Sequence, residues 1–146
     1  MKLQNISKST WAVIGVLAAL GFTDATYLAI NHFMGKIPPC TISGCEVVTT
    51  SEYATILGVP IALIGALYYA AVLMLLMWYI EKKDGRALEG ILYLVSIGAL
   101  VSLGLVYLQL FVIKAICIYC MVSASTSFLM CIVMWYQKKK AQVVSQ

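Results

Sequence analysis

Four stretches of this chain stay apolar for about the length a helix needs to cross a bilayer, and short polar segments separate them. A hydrocarbon core about 30 Å thick takes roughly 20 helical residues. The first run spans Trp11 to Phe33 and is interrupted by Asp24. The second spans Pro60 to Ile80 without a charge, and the third spans Ile91 to Ile113 with only Gln109 strongly polar. The fourth extends from Ala115 to Tyr136, again uncharged. Trp11, Trp78, Tyr79, Trp135 and Tyr136 stand near run ends, where interfacial aromatic belts lie. The pattern predicts an all-α protein, a single membrane domain over residues 1–146 built as a four-transmembrane-helix bundle. The first run is too long for a signal peptide's apolar region, so it reads as a permanent span.

The connections are unequal. Residues 34–59 form one substantial loop, residues 81–90 a short charged turn, and the third connection is a tight hairpin centred on Lys114. In the long loop, Pro38-Pro39 stiffens the start and Gly44 permits a sharp bend before Cys45. Thr49 and Glu52 fit a capping box, with a short helix following from Ser51 to Leu57. Gly58 would end it, and Pro60 suits the first turn of the next span. This helix would lie along the membrane surface as an outer-face cap over the bundle.

Composition agrees with the spans. Hydrophobic residues make up 62% of the 146 and charged residues 11%, against about 45–50% and about 25% in a soluble domain. The excess apolar surface must face lipid. The net charge of +4 does not point to nucleic acid, because the basic residues sit between apolar runs. Their distribution sets topology instead. Lys2, Lys8, Lys82, Lys83, Arg86 and Lys138, Lys139 and Lys140 fall on one side, and only Lys36 and Lys114 on the other. Both termini are therefore expected in the cytoplasm of a cell inner membrane, with the long loop and the third connection facing the periplasm or exterior.

That orientation gathers Cys40, Cys45, Cys117 and Cys120 at the outer end, where disulfides persist. Cys117 and Cys120 form a C-x-x-C at the start of the fourth span. Residues three apart at a helix start share a face, and a helix N-terminus favours the thiolate that attacks a disulfide. The pair can cycle between dithiol and disulfide, although a static disulfide or two buried cysteines also fits it. The second pair, Cys40 and Cys45, is expected to be exposed, able to meet a soluble thiol and to swing toward Cys117. One wet pair and one membrane pair make a relay by thiol–disulfide exchange. Two structural disulfides or a structural zinc are the alternatives, although zinc ligand pairs are usually more regularly spaced. Cys131, about three turns deeper, reads as core.

Asp24 is a carboxylate inside a span, a costly placement that marks a candidate site. It can sit near a quinone head, serve a proton route, or bond a neighbouring helix or the loop. Tyr27 shares its face. His32 falls at the outer boundary, where it reads as solvated. The Tyr68-Tyr69 pair reads as packing.

Taken in order, these residues resemble the vitamin K epoxide reductase family, particularly its microbial members. The resemblance extends from Gly21 to Tyr136. It rests on Asp24-Ala25-Thr26-Tyr27-Leu28 with His32, then on Cys40 and Cys45, then on Ser51-Glu52-Tyr53-Ala54 followed by Gly58-Val59-Pro60. Gly65 with Tyr68 and Ile116-Cys117-Ile118-Tyr119-Cys120 complete it. It implies four helices around a quinone, with the loop and its short helix closing over them. Cys120 would stand nearest the quinone, Cys117 would exchange with Cys45, and Cys40 would take electrons from an outside thiol. Ser51 matches the family's serine or threonine, supporting a thiolate or the loop geometry. Asp24, Tyr27 and Tyr68 become candidate quinone-pocket residues.

Departures from the pattern shape the expected substrate. Where animal members place polar groups that bind the vitamin, this chain has Pro60-Ile61-Ala62-Leu63 and Val122-Ser123-Ala124. A respiratory quinone of the ubiquinone or menaquinone class is favoured over an epoxide. The only C-x-x-C lies at the membrane, so the expected partner is a separate thioredoxin-like, DsbA-type protein on the outer face. A DsbB-type quinone reductase has the same helix number but carries its C-x-x-C in the first outer loop. From other classes, a non-catalytic membrane subunit stapled by disulfides or a soft-metal carrier would also hold these cysteines.

Overall fold

A computed structural model describes residues 6–144; Lys2 of the charge count lies outside the described residues. Helix α1 (Lys8–Phe33) starts at Ser7, whose hydroxyl accepts the Thr10 N–H at 3.3 Å. After the long loop come a one-turn-plus helix α2 (Cys45–Thr50), a 3-10 turn (Glu52–Ala54) and a two-residue hairpin, β1 (Thr55–Ile56) with β2 (Val59–Pro60). Helices α3 (Ile61–Lys82), α4 (Gly85–Tyr107, continuing as a π-helical turn Leu108–Ile113) and α5 (Ile118–Val144) complete the chain. Four of these helices are long and apolar enough to cross a membrane, and the protein is multi-pass.

At the end away from the cysteines the helices run past the apolar runs, starting at Lys8 and Gly85 and ending at Lys82 and Val144, while α3 and α5 start one and three residues inside theirs. The expected charged turn over residues 81–90 is mostly helix: α3 continues through Lys82, Lys83 turns at φ 52°, and α4 starts at Gly85. Asp84 makes this possible by accepting the Arg86 N–H at 3.0 Å, a side-chain cap on an otherwise orphan donor. Lys82 and Lys138 then lie over the rings of Trp78 and Trp135, each 4.8 Å from the centroid. Such cation–aromatic pairs suit helix turns at the lipid–water boundary. The third connection is longer than expected, four residues from Lys114 to Cys117.

Helix α1 packs against α3 and α5, and α4 packs against the same two, closing a ring. Ile14, Val72, Leu88, Ile91, Val95, Met130 and Met134 fill its centre, together with Tyr69 and Tyr79. Apolar residues also cover the outside: Leu100 is 70% exposed and Ile132 64%. In water that surface would be prohibitive; in a bilayer it is the solvent contact. Two glycines admit the large rings. A Cβ at Gly21 would lie 2.3 Å from the Tyr69 ring, and one at Gly98 would lie 2.4 Å from Tyr68. The Tyr69 hydroxyl donates to the Ser123 carbonyl at 2.6 Å and lies 2.7 Å from the Thr126 hydroxyl and 3.0 Å from that of Ser127. Polar groups spaced along α5 thus bind α3 where lipid offers no competing donor.

The capping helix exists, but six residues earlier than the capping box predicts. Thr49 does not cap forward. Its hydroxyl donates back to the Cys45 carbonyl at 2.7 Å, and Thr50 and Ser51 donate to Glu46 and Val48 at the same distance. Hydroxyl side chains often satisfy the preceding turn in this way. The segment assigned to a helix instead holds the hairpin, whose turn residues Leu57 (φ 52°) and Gly58 (φ 82°) both take positive φ. That is the two-residue turn antiparallel strands favour.

Candidate active site

The loop and the third connection meet at one end of the bundle, opposite the start of α1 and the end of α5. There Cys45, Val48 and Cys117 form a second buried cluster, packed by Cys40, Ile113, Ala115, Tyr119 and Cys120. Cys45 and Cys117 are both fully buried. Burial corrects the expectation of an exposed loop pair. Helix α2 starts at Cys45 and turns its first residue inward, leaving Cys40 half-buried as the more accessible sulfur. Cys40 and Cys45 are joined by a disulfide with Cα atoms 6.2 Å apart, while Cys117, Cys120 and Cys131 are free thiols.

Two contacts hold the loop on the C-x-x-C, and a third fixes Cys117 itself. Gly44 (φ 155°) lies flat against Ile116, where a Cβ would sit 2.7 Å from the Ile116 carbonyl oxygen. The Tyr119 hydroxyl donates to the Pro39 carbonyl at 2.9 Å, and its ring stands 5.6 Å from that of Tyr27. Gln109, almost fully buried in the π-helical turn, accepts the Cys117 N–H on its side-chain oxygen at 3.1 Å. The residues before Cys40 and before Cys45 are therefore each tied to a neighbour of Cys117. No loop swing is needed to bring the pairs together.

Cys117 precedes the span Ile118–Val143. Its thiol is held below the ordinary value, chiefly because the Cys120 thiol hydrogen-bonds its sulfur; the Cys120 and Tyr119 N–H groups add to this, and burial opposes it. The Cys120 thiol, helped by the first N–H groups of α5, thus stabilises the thiolate, the form that attacks disulfides.

Asp24 lies in the C-terminal half of α1, one turn before Tyr27. Its charge is near enough to act on the sulfurs of Cys117 and Cys120 and on the Tyr119 phenol. Its Oδ2 and the nearby Thr26 hydroxyl are buried without a hydrogen-bond partner. Tyr68 stands apart, edge-on to Tyr69 at 4.8 Å, and its hydroxyl is also buried without a hydrogen-bond partner. Ser51 spends its hydroxyl on Val48, a member of the cysteine cluster, and so braces the loop helix. Cys131 packs on the main core. His32 is exposed, edge-on to Phe33 at 6.1 Å.

Beside the disulfide, a groove of about 520 Å³ opens to the surface, lined by Ile37, Pro38, Cys40, Ile42, Val47 and Lys114 among others. Sequence reasoning missed Gln109 and Tyr69 as organising residues. The signal for Gln109 was its being the lone strong polar group of its span, eight residues before Cys117.

A ring of four membrane helices with a dithiol set against a disulfide at one end defines a class: membrane proteins equipped for thiol–disulfide exchange. The chain matches the Vitamin K epoxide reductase family over residues 12–135, and it belongs to that family. It is also 34% identical to the thiol-disulfide oxidoreductase LTO1 of Arabidopsis thaliana over 119 residues, which take in 72% of this chain. The match spans 30% of that protein's length.

Proposed function

We propose that this protein is a membrane thiol–disulfide oxidoreductase that passes electrons from a protein dithiol, through Cys40/Cys45 and then Cys117/Cys120, to a quinone. The observation that carries the reading is the buried cluster holding Cys45 and Cys117 together, with one pair oxidised and the other reduced. A stapled subunit has no use for a free dithiol against a disulfide. A metal carrier would lose two of its four ligands to the Cys40–Cys45 bond.

The steps balance as exchange reactions. A partner thiolate attacks the Cys40 sulfur, and Cys45 leaves as a thiolate. The partner's second thiol resolves that mixed disulfide, leaving the loop pair reduced. Cys45 then attacks the Cys117 sulfur of an oxidised inner pair, and Cys120 leaves as a thiolate. Cys40 resolves the Cys45–Cys117 bond, restoring the loop disulfide. Cys117 and Cys120 now hold two electrons and two protons, the state of the structure. When bound, a quinone supplies the two-electron, two-proton acceptor. Cys120 would be the sulfur that hands those electrons on as the inner disulfide re-forms. The net reaction is protein dithiol plus quinone giving protein disulfide plus quinol.

The residues suit such an acceptor beside Cys120. Asp24 Oδ2 and the Thr26 hydroxyl are orphaned polar atoms on the neighbouring helix, and the Tyr27 ring lies tilted against that of Tyr119 at that level. Tyr68, committed to packing with Tyr69, would contribute only deeper in the bundle. Ser51 would act by fixing α2. The quinone is of the ubiquinone or menaquinone class, and the electron donor is a thioredoxin-like, DsbA-type protein meeting Cys40 on the outer face. The basic-residue distribution supports termini in the cytoplasm and cysteines on the far side of an inner membrane.

Quinone reduction by the purified protein in detergent, fed by a reduced thioredoxin-like donor, tests this directly. Turnover should vanish in Cys117→Ser and in Cys120→Ser. Absence of turnover by the wild type with ubiquinone and menaquinone analogues alike would sink the quinone assignment. Mass spectrometry of Cys120→Ser tests the relay itself: Cys45 should be found bonded to Cys117 with Cys40 newly free.

A further inference from the structure

We infer that Gln109 is a positioning residue for the exchange step: its side-chain amide fixes the Cys117 backbone so that the sulfur moves between Cys45 and Cys120 by side-chain rotation alone. The inference rests on the proposed relay and adds to it the element that aims its central sulfur.

Gln109 is 3% exposed at the end of an apolar helix. Such a placement is costly unless the amide is well bonded. Two of its groups converge on one short segment. Its main-chain carbonyl receives the N–H of Lys114, the residue that ends the π-helical turn, and that of Ala115 at 3.1 Å. Its side-chain oxygen receives the N–H of Cys117 at 3.1 Å. The acceptor facing an N–H must be the amide oxygen, so the orientation of the amide is fixed by chemistry. Three of the four residues in the connection Lys114–Cys117 therefore hang on Gln109. The fourth, Ile116, is pressed by Gly44.

Cys117 is held at its other side too, since its carbonyl accepts the Met121 N–H at 3.0 Å as α5 begins. With both ends of the residue pinned, its freedom is the rotation about Cα–Cβ. That is the motion a relay sulfur needs when its two partners lie in the same buried cluster. A π-helical turn beside a functional residue is a recurrent device. Here it widens the last turn so that a side chain from position 109 reaches position 117.

The test is made in a Cys120→Ser background, where relay activity appears as the Cys45–Cys117 bond. Gln109→Leu removes the acceptor, and Gln109→Glu keeps one but places a carboxylate beside the thiol. Reduction of Cys40–Cys45 by a small dithiol, in each variant with Cys120 intact, reports whether the loop is still built. The expected result is about tenfold slower trapping in Gln109→Leu, the size of one lost hydrogen bond, with loop reduction within about twofold of the parent. Gln109→Glu should restore trapping at high pH, with its rate profile displaced upward because the added negative charge disfavours the thiolate. Trapping in Gln109→Leu at the parental rate would overturn the inference. So would equal loss in both variants together with a disturbed loop, which marks a purely structural amide. If the Cys120→Ser parent traps nothing, the relay reading itself is what fails.

Discussion

Replacing Cys120 with alanine should make Cys117 a poorer nucleophile, by an amount the site geometry sets. The Cys120 thiol is the principal group stabilising the Cys117 thiolate, ahead of the Cys120 and Tyr119 N–H groups. A hydrogen bond to a charged group contributes about 1.5–3 kcal/mol. At 1.36 kcal/mol per tenfold change, its loss corresponds to roughly a ten- to hundredfold fall in thiolate population. The sign follows from the charge state. The folded site favours the thiolate, so Cys120→Ala moves the midpoint of Cys117 reactivity to higher pH. At any pH below both midpoints, the rate should drop by the full factor. The assay is iodoacetamide labelling of Cys117 across pH, slow in every variant because the residue is buried and so compared as midpoints and relative rates by mass spectrometry, with Cys131→Ser removing the deep free thiol and the loop disulfide left intact. Cys120→Ser retains an O–H donor and should fall between parent and alanine variant. A midpoint in Cys120→Ala equal to or below the parent's would refute the argument and assign the depressed thiol to the helix start alone.

Further outcomes concern the frame around the sulfurs. Tyr69→Phe removes the donor to the Ser123 carbonyl and a partner of three α5 hydroxyls; Thr126 still donates to that carbonyl at 2.8 Å, so the loss should be about 1–2 kcal/mol by denaturant unfolding in detergent. Gly21→Ala drives a methyl into the same bonded, fully buried ring and should cost about 1–3 kcal/mol. Gly98→Ala, which meets the half-buried and unpartnered tip of Tyr68, should cost less; the reverse order would show that the Tyr69 network is looser than its distances imply. Gly44→Ala sets a Cβ 2.7 Å from the Ile116 carbonyl and should slow Cys45–Cys117 trapping while leaving helix content by circular dichroism unchanged; an unaltered trapping rate would mean the loop does not need this contact.

The four spans, their order and the end at which the cysteines gather were legible because lipid imposes a single requirement over about 20 residues. The boundaries were less so. Asp84 caps α4 through its own side chain, so charged residues near a span end became helix where composition suggested a turn. The loop helix was misplaced for a related reason. Thr49, Thr50 and Ser51 carry hydroxyls that can bond forward or backward, and a sequence motif cannot say which; here all three bond backward to the turn beginning at Cys45. That choice also decided which loop sulfur is buried. The four cysteines were found from their order, yet the contacts that assemble them join residues far apart in sequence. Gly44 with Ile116 and Tyr119 with Pro39 leave no periodic trace.

Burial can give the proposed relay its direction. Cys45 and Cys117 are both closed to solvent, so small thiols outside have little access to the step between them. Cys40 alone of the loop pair lines the open groove, and a partner's attack there expels Cys45 inward, toward Cys117. The buried cysteine cluster and the large bundle core share no residue. Sulfur can therefore change partners within the small cluster while the ring of helices, held by Tyr69, Tyr79 and the methionines of α5, keeps its packing. In such an arrangement exchange costs only rotations of side chains already in contact. The order of events is then set by which sulfur each step exposes, with no large movement of the loop.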